Sequence, residues 1–220
     1  MTEQAGLEPE PRWPAAVALF GAAILPLALP RSLTLAPALA LVTTNVVLLT
    51  GAILAHRHNR ITLTDSFSYA NLGLLTLSML YSIVTLLLGL IHHAQSAPSL
   101  LQSAAVLWFA NVIVFAAWYW RLDAGGPHER ERRAAHMEGA FLFPQMATDA
   151  PGRKGVSIAE AESWRPGFID YLAISFYTCT AFSPTDVQVL TRWAKLMMMV
   201  QAVMAFGTVI LLTARAVNIL

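Results

Sequence analysis

Charged residues and cysteines are scarce in this sequence, and each shortage excludes a class of protein. Charged side chains make up 12% of the 220 residues, whereas soluble globular domains carry about 25%. Cys179 is the single cysteine, which excludes an intramolecular disulfide and cysteine-cluster zinc or iron–sulfur sites. The net charge is +1, so no general basic field exists and we expect no nucleic-acid partner.

The sequence also lacks a recognisable catalytic set. No nucleophile, base and orienting group fall at an interpretable spacing, and no phosphate-binding glycine loop is present. His56 and His58 lie at one end of a predicted membrane span, while His92 and His93 lie at the other end. The two pairs would lie on opposite faces of a bilayer and cannot share a metal ion. We therefore predict no enzyme activity, no cofactor and no metal site.

Long uncharged stretches are what the sequence does contain. About 18 or more apolar residues cross a hydrocarbon core of about 30 Å as a helix. Five stretches predict such helices, at residues 13–29, 33–55, 66–91, 99–120 and 196–214. We expect an all-α, polytopic transmembrane helical bundle of about six membrane segments, with the lipid bilayer as its surroundings.

The remaining membrane segment, 168–187, is ambiguous. Its uncharged part lies between Asp170 and Asp186 and measures about 22 Å as a helix. The segment therefore either crosses the bilayer or turns back as a re-entrant, pore-helix-like element. These predicted segments divide the chain into a four-helix transmembrane region (1–120), a cytoplasmic loop with a short amphipathic helix (121–166), and a pore-like helix, turn and long last helix (167–220).

The distribution of arginine and lysine predicts the orientation. Cytoplasmic loops of membrane proteins carry an excess of these residues. With six crossing segments, most of the 14 cations lie on the side that holds both termini. This predicts a multi-pass protein of the cell inner membrane with both termini cytoplasmic. If 168–187 turns back, the 121–166 loop stays cytoplasmic and Arg215 moves to the other side.

The stretch from Trp164 to Leu220 contains FIDYLAISFYTCTAFSPTD followed by a long apolar helix. It resembles an uncharacterised bacterial membrane family known as domain of unknown function 1345. More distantly, it resembles the pore region of tetrameric cation channels, with an aromatic short helix, threonines, a turn, an aspartate and an inner helix. Potassium-selective members use a glycine-rich strand, and TCTAFSPTD contains no glycine. The candidate pore or polar-path residues are Thr178, Cys179, Thr180, Ser183, Thr185, Asp186 and Asp170.

Each of these polar features also has a purely structural interpretation. Ser183 to Asp186 has the composition of a helix start, with a cap, a proline and an acid. Asp170 follows Pro166 and Gly167, which places it in a first helical turn. The amides at membrane depth, Asn45, Asn71, Asn111, Gln102 and Gln201, would bond between helices. The HERERR run would contact anionic lipid headgroups or, as we expect, form a solvated charged turn. Phe141 to Phe143 would dock onto the membrane interface or the helix bundle.

Two functions from different classes follow. The first is a small channel-like or transport-related protein, a homo-oligomer in which Asp186 concentrates a cation at the mouth of a polar path. The second is a noncatalytic membrane scaffold or accessory subunit whose polar residues hold helices together.

Overall fold

The computed structural model describes residues 10–91, 97–132, 139–146, 164–181 and 186–217. The helices are α1 (Trp13–Ile24), α2 (Ala38–Arg57), α3 (Ile61–Ile91), α4 (Ala97–Leu122), α5 (Pro127–Arg132), α6 (Phe168–Ala181) and α7 (Arg192–Val217). Single 3-10 turns lie at Leu25–Ala28, Arg31–Leu33, Asp123–Gly125 and Pro144–Met146. Two short strands, β1 (Phe141–Leu142) and β2 (Gln188–Val189), pair antiparallel.

Membrane-length helices make up most of the described chain. The stretches containing α2, α3, α4 and α7 are each long and apolar enough to cross a bilayer, and Trp13–Ala28 is a shorter apolar helix. The predicted all-α helical bundle is confirmed. The short amphipathic helix predicted after Ser157 lies outside the described residues.

The first four helices alternate in direction. The Arg12 guanidinium, just before α1, lies 3.0 Å from both Nδ1 of His56 in α2 and Nε2 of His128 after α4. Arg121 of α4 forms an ion pair with Asp65 of α3. We call this the charged end of the bundle, and the far end the opposite end. At the opposite end, Ser82 Oγ of α3 donates a hydrogen bond of 2.6 Å to the carbonyl of Leu33, which fixes the α1–α2 connection.

Helices α6 and α7 both start at the charged end. Near the start of α6, Tyr171 donates a hydrogen bond of 2.6 Å to Asp123. Near the start of α7, the ring of Trp193 lies 6.3 Å from that of Phe141, which also contacts Tyr171 at 6.1 Å. Further along both helices, Gln201 of α7 bonds to α6. The two helices therefore run side by side in the same direction, both antiparallel to α4.

A re-entrant path for the chain follows from this parallel arrangement. Strand β2, just before α7, pairs with β1 at the charged end, so the chain that leaves α6 at Ala181 returns to the end where α6 began. The 14 residues of α6 rise about 20 Å, short of the hydrocarbon thickness. From Ala181 to Gln188 an extended chain reaches about 23 Å, enough for the return. The described helices fit the re-entrant alternative for 168–187 and not the crossing one.

This path bears on the prediction that both termini lie on one side of the membrane. Two termini on one side required a crossing segment at 168–187. Instead, α1 begins at the charged end, and α7 runs away from it to bring Gly207 against Leu87 near the end of α3. The first and last described residues therefore lie at opposite ends of the bundle.

The turn after α4 gives a first prediction, because it depends on a residue without a side chain. Gly126 has φ +91°, and a Cβ there would lie 2.8 Å from the carbonyl oxygen of Arg121. Gly126→Ala should lower the free energy of unfolding by about 1–3 kcal/mol, measured as a lower melting temperature in detergent. Gly73→Ala in α3 is the control, since no atom lies within 4 Å of the added Cβ. Equal melting of Gly126→Ala and the parent would contradict this account of the turn.

The re-entrant path gives a second prediction, testable by cysteine labelling in a Cys179→Ser background. Arg132→Cys labels the charged end and Leu35→Cys labels the opposite end. Gln188→Cys reports the side on which the chain lies after α6. All three positions are exposed. An impermeant maleimide should modify positions 132 and 188 from one side of a membrane vesicle and position 35 from the other. Labelling of position 188 together with position 35 would mean that 168–187 crosses.

Candidate functional site

The re-entrant helix α6 is held at its start by local sequence. Pro166 and Gly167 precede it, and Asp170 lies in its first turn. The Asp170 carboxylate accepts a hydrogen bond of 2.8 Å from the backbone N–H of Gly167, at the helix end where negative charge is favoured. The structural interpretation of Asp170 as a first-turn acid fits this geometry.

A buried polar cluster fixes the middle of α6 between α4 and α7. We call it the Gln201 cluster; its members are Asn111, Tyr119, Ser175, Cys179 and Gln201, all fully buried. The Gln201 side-chain amide donates to the carbonyl of Ser175 at 3.0 Å and to its Oγ at 2.6 Å, and lies 3.1 Å from Cys179 Sγ. Tyr119 donates to Gln201 Oε1, and Asn111 donates to the Gln201 backbone carbonyl at 3.2 Å.

The Gln201 cluster confirms one expectation and adds two residues. Asn111 and Gln201 bond between helices as expected, whereas the Asn45 amide donates to the carbonyl of Leu41 in its own helix. Ser175 and Tyr119 were missed by sequence reasoning. The signal for Ser175 is its spacing of four residues from both Tyr171 and Cys179, which makes one polar stripe on α6. Ser175 also donates a 2.6 Å hydrogen bond to the carbonyl of Val112.

The candidate path residues do not share one face of α6. Thr178 and Cys179 are buried, and the Thr178 hydroxyl donates to the Ile174 carbonyl at 2.8 Å. Thr180 is exposed on another side of the helix and donates to the Phe176 carbonyl at 3.0 Å. Ser183 and Thr185 lie outside the described residues. Thr178 and Cys179 therefore face the protein interior, away from Thr180.

Two of the candidate residues, Asp170 and Asp186, do come together. Both line a cavity of about 110 Å³ at the charged end, with Gln145, Ala173 and Tyr177 among its other walls. The cavity lies between Asp170, in the first turn of α6, and Asp186, just before β2. Two carboxylates at one small cavity favour cations there. Within the described ranges, no group of three or more histidine, cysteine, aspartate or glutamate side chains is placed to hold a metal ion.

A second buried network lies at the charged end and was misjudged from the sequence. Arg130, from the HERERR run, is 3% exposed. It donates to the carbonyls of Trp120 and Asp123 at 2.7 and 3.0 Å and to the Glu10 carboxylate at 3.0 Å. Its guanidinium also lies 5.2 Å from the centre of the Tyr171 ring. The expected solvated turn is therefore wrong for Arg130, although it describes the exposed Arg132.

Asp123 connects this network to α6 and to the strands. Its carboxylate accepts hydrogen bonds from Tyr171 Oη and from the backbone N–H of Ala140, just before β1. Phe141 and Phe143 are buried and pack on Tyr171 at 6.1 and 5.6 Å between ring centres. Of the two expected docking places, the membrane interface and the helix bundle, the structure shows the helix bundle. The loop after α4 thus positions the start of the re-entrant helix.

Comparisons with known proteins do not assign this arrangement to a family. The chain matches no protein-family model, and no curated protein or solved structure is significantly similar to it. The resemblance of Trp164–Leu220 to the domain of unknown function 1345 family stays a prediction, and the geometry alone carries the functional argument.

The Gln201 cluster gives a third prediction. Gln201→Met removes the side-chain acceptor of Tyr119 and the side-chain donor to Ser175 within a buried site, and it leaves the Tyr119 hydroxyl without its acceptor. The free energy of unfolding should fall by about 1–3 kcal/mol, measured by thermal melting or by titration with a denaturing detergent. Gln102→Met is the matched control, because Gln102 is exposed and makes a single long hydrogen bond of 3.4 Å to Ala28. Equal losses for the two variants would contradict a central role for Gln201.

Proposed function

We propose that this protein is a channel-like or transport-related membrane protein in which the re-entrant helix α6 borders the pathway. The observation that carries the proposal is the parallel course of α6 and α7, both starting at the charged end. Helix α6 ends at Ala181, away from the charged end, and the chain returns to the charged end by Gln188. A chain that turns within a membrane is tolerated where protein encloses it or where it lines a water-filled cavity.

One face of α6 stays largely exposed in the described chain, and this favours an oligomer. The buried face packs on α4 and α7. On the other side, Ile169, Phe176, Tyr177 and Thr180 are exposed. Further copies of the chain around a symmetry axis would enclose this face and the return of the chain together. The proposed assembly is therefore a homo-oligomer with the pathway between copies.

The proposed transported species is a small cation. Asp170 and Asp186 line one cavity where the chain enters and leaves the re-entrant segment, and acidic side chains concentrate cations at a pore mouth. Threonine hydroxyls with no glycine-rich strand favour a polar path of low selectivity. Thr180 lies on the same exposed side, whereas Thr178 and Cys179 belong to the packed interior.

The Gln201 cluster favours a second candidate, a noncatalytic scaffold or accessory subunit. Its hydrogen bonds satisfy polar groups of α4, α6 and α7 among themselves, as expected for side chains whose role is to hold helices together. In that case the exposed face of α6 would bind a different protein rather than another copy.

The proposed location is a bacterial inner membrane with the charged end in the cytoplasm. Described cations at the charged end are Arg12, Arg57, Arg60, Arg121, Arg130, Arg132, Arg165, Arg192 and Lys195, whereas Arg31 and Arg215 lie at the opposite end. Such an excess marks the cytoplasmic side. Modification of a cysteine at position 152 by an impermeant reagent in intact cells would contradict this orientation.

Flux in liposomes gives the fourth prediction. Purified protein in liposomes should conduct monovalent cations above the level of empty liposomes. Asp186→Asn should lower that flux several-fold, because it removes a charge from the mouth cavity. Glu129→Gln is the control for charge alone, since Glu129 lies at the same end, pairs with Arg132 and does not line that cavity.

The outcomes separate the two candidates. No flux under any ion gradient, together with a stable heteromeric partner in mild detergent, would favour the scaffold. Equal flux for Asp186→Asn and the parent would leave a transport protein but move the pathway away from Asp186.

A further inference from the structure

A second cavity lies at the charged end, between the first four helices. Its volume is about 310 Å³, and no residue of α6 or α7 lines it. Small side chains contribute to the space, since Ala15 and Ala16 of α1 and Ala52 of α2 line it. This volume is at the lower end of the range for small-molecule pockets, about 300–1,000 Å³.

The interior of this cavity is apolar and opens towards lipid. The apolar side chains of Leu19, Leu49 and Ile53 line it. Trp13 and Ile53 are 69% and 40% exposed on the flank of the bundle, where a transmembrane helix meets hydrocarbon. Tryptophan is typical of the membrane–water interface, so Trp13 marks the level at which the cavity opens. An acyl chain fits this environment better than a water-soluble ligand does.

The mouth of the cavity is cationic. Arg12, Arg57 and Arg121 line it. Two of these guanidiniums have acidic partners: Arg12 pairs with Glu131 at 2.8 Å and Arg121 with Asp65. Arg57 is exposed and makes no ion pair with any residue of the described ranges. Among the described residues, the Arg57 charge at the mouth therefore has no counterion, and it lies beside an apolar interior.

We propose that this cavity binds one anionic phospholipid. An acyl chain occupies the apolar interior, and the phosphate lies at the mouth against Arg57, with Arg12 beside it. Basic pockets between transmembrane helices suit anionic headgroups, and arginine binds phosphate in a planar, two-point geometry. The headgroup of a zwitterionic lipid carries a positive charge as well, so its electrostatic attraction to the arginines at the mouth would be weaker. The site is independent of the proposed pathway, because α6 does not contribute to it.

Native mass spectrometry of the delipidated full-length protein tests this proposal. The probes are phosphatidylglycerol and phosphatidylcholine with identical acyl chains, together with inorganic phosphate. The parent protein should bind one phosphatidylglycerol in preference to phosphatidylcholine. Arg57→Gln should weaken phosphatidylglycerol binding about fivefold, and Ala16→Leu, which fills the cavity, should weaken binding of the lipid without any change in charge.

Arg60→Gln is the matched control, because Arg60 is exposed at the same end but does not line this cavity. It should bind phosphatidylglycerol as the parent does. Equal weakening by Arg57→Gln and Arg60→Gln would show a diffuse surface effect and overturn the proposal. Equal binding of the two lipids, or saturable binding of inorganic phosphate that Arg57→Gln abolishes, would overturn it as well.

Discussion

Hydrocarbon offers no hydrogen bonds, and the packing of the re-entrant segment depends on this constraint. A buried polar group without a partner costs about 1–3 kcal/mol, so polar side chains at membrane depth must find one another. In this bundle they meet at Gln201, whose amide bonds to α6 and whose Oε1 accepts from Tyr119 of α4. Ser175 completes the connection by donating to the backbone of Val112. These bonds position a helix too short to cross the membrane.

The charged end determines the direction of the chain. Asp123 binds the start of α6 through Tyr171 and the start of β1 through Ala140, and β1 pairs with β2 just before α7. Because both helices are anchored at one end, they must run parallel, and the connection between them must return. Arg130 keeps this anchor in place while buried, since its guanidinium bonds to backbone carbonyls and to Glu10. The re-entrant course is thus a consequence of contacts at the membrane surface.

The sequence predicted what depends on local composition and missed what depends on distant pairing. Spans predicted at 33–55 and 99–120 correspond to α2 and α4, because length and apolarity suffice to recognise a membrane helix. Helix α3 begins at Ile61, before the predicted span 66–91, and Asp65 inside it forms an ion pair with Arg121 of another helix, which no local pattern indicates. The sequence did not decide whether 168–187 crosses the membrane, because this depends on the pairing of β1 with β2. The burial of Arg130 likewise depends on Glu10, far away in the chain.

The division of α6 into two faces bears on where a pathway can lie. A path along Thr178 and Cys179 would have to separate α6 from α7 and open the Gln201 cluster, leaving several buried polar groups without partners at about 1–3 kcal/mol each. A path along Tyr177 and Thr180 breaks none of those bonds, since that face is already exposed in one chain. The hydrogen bonds of the Gln201 cluster hold the inner face of α6 against its neighbours. They do not involve the outer face, which can therefore border a pathway. The proposed transport therefore requires copies of this chain assembled around that outer face, with the inner face as its rigid support.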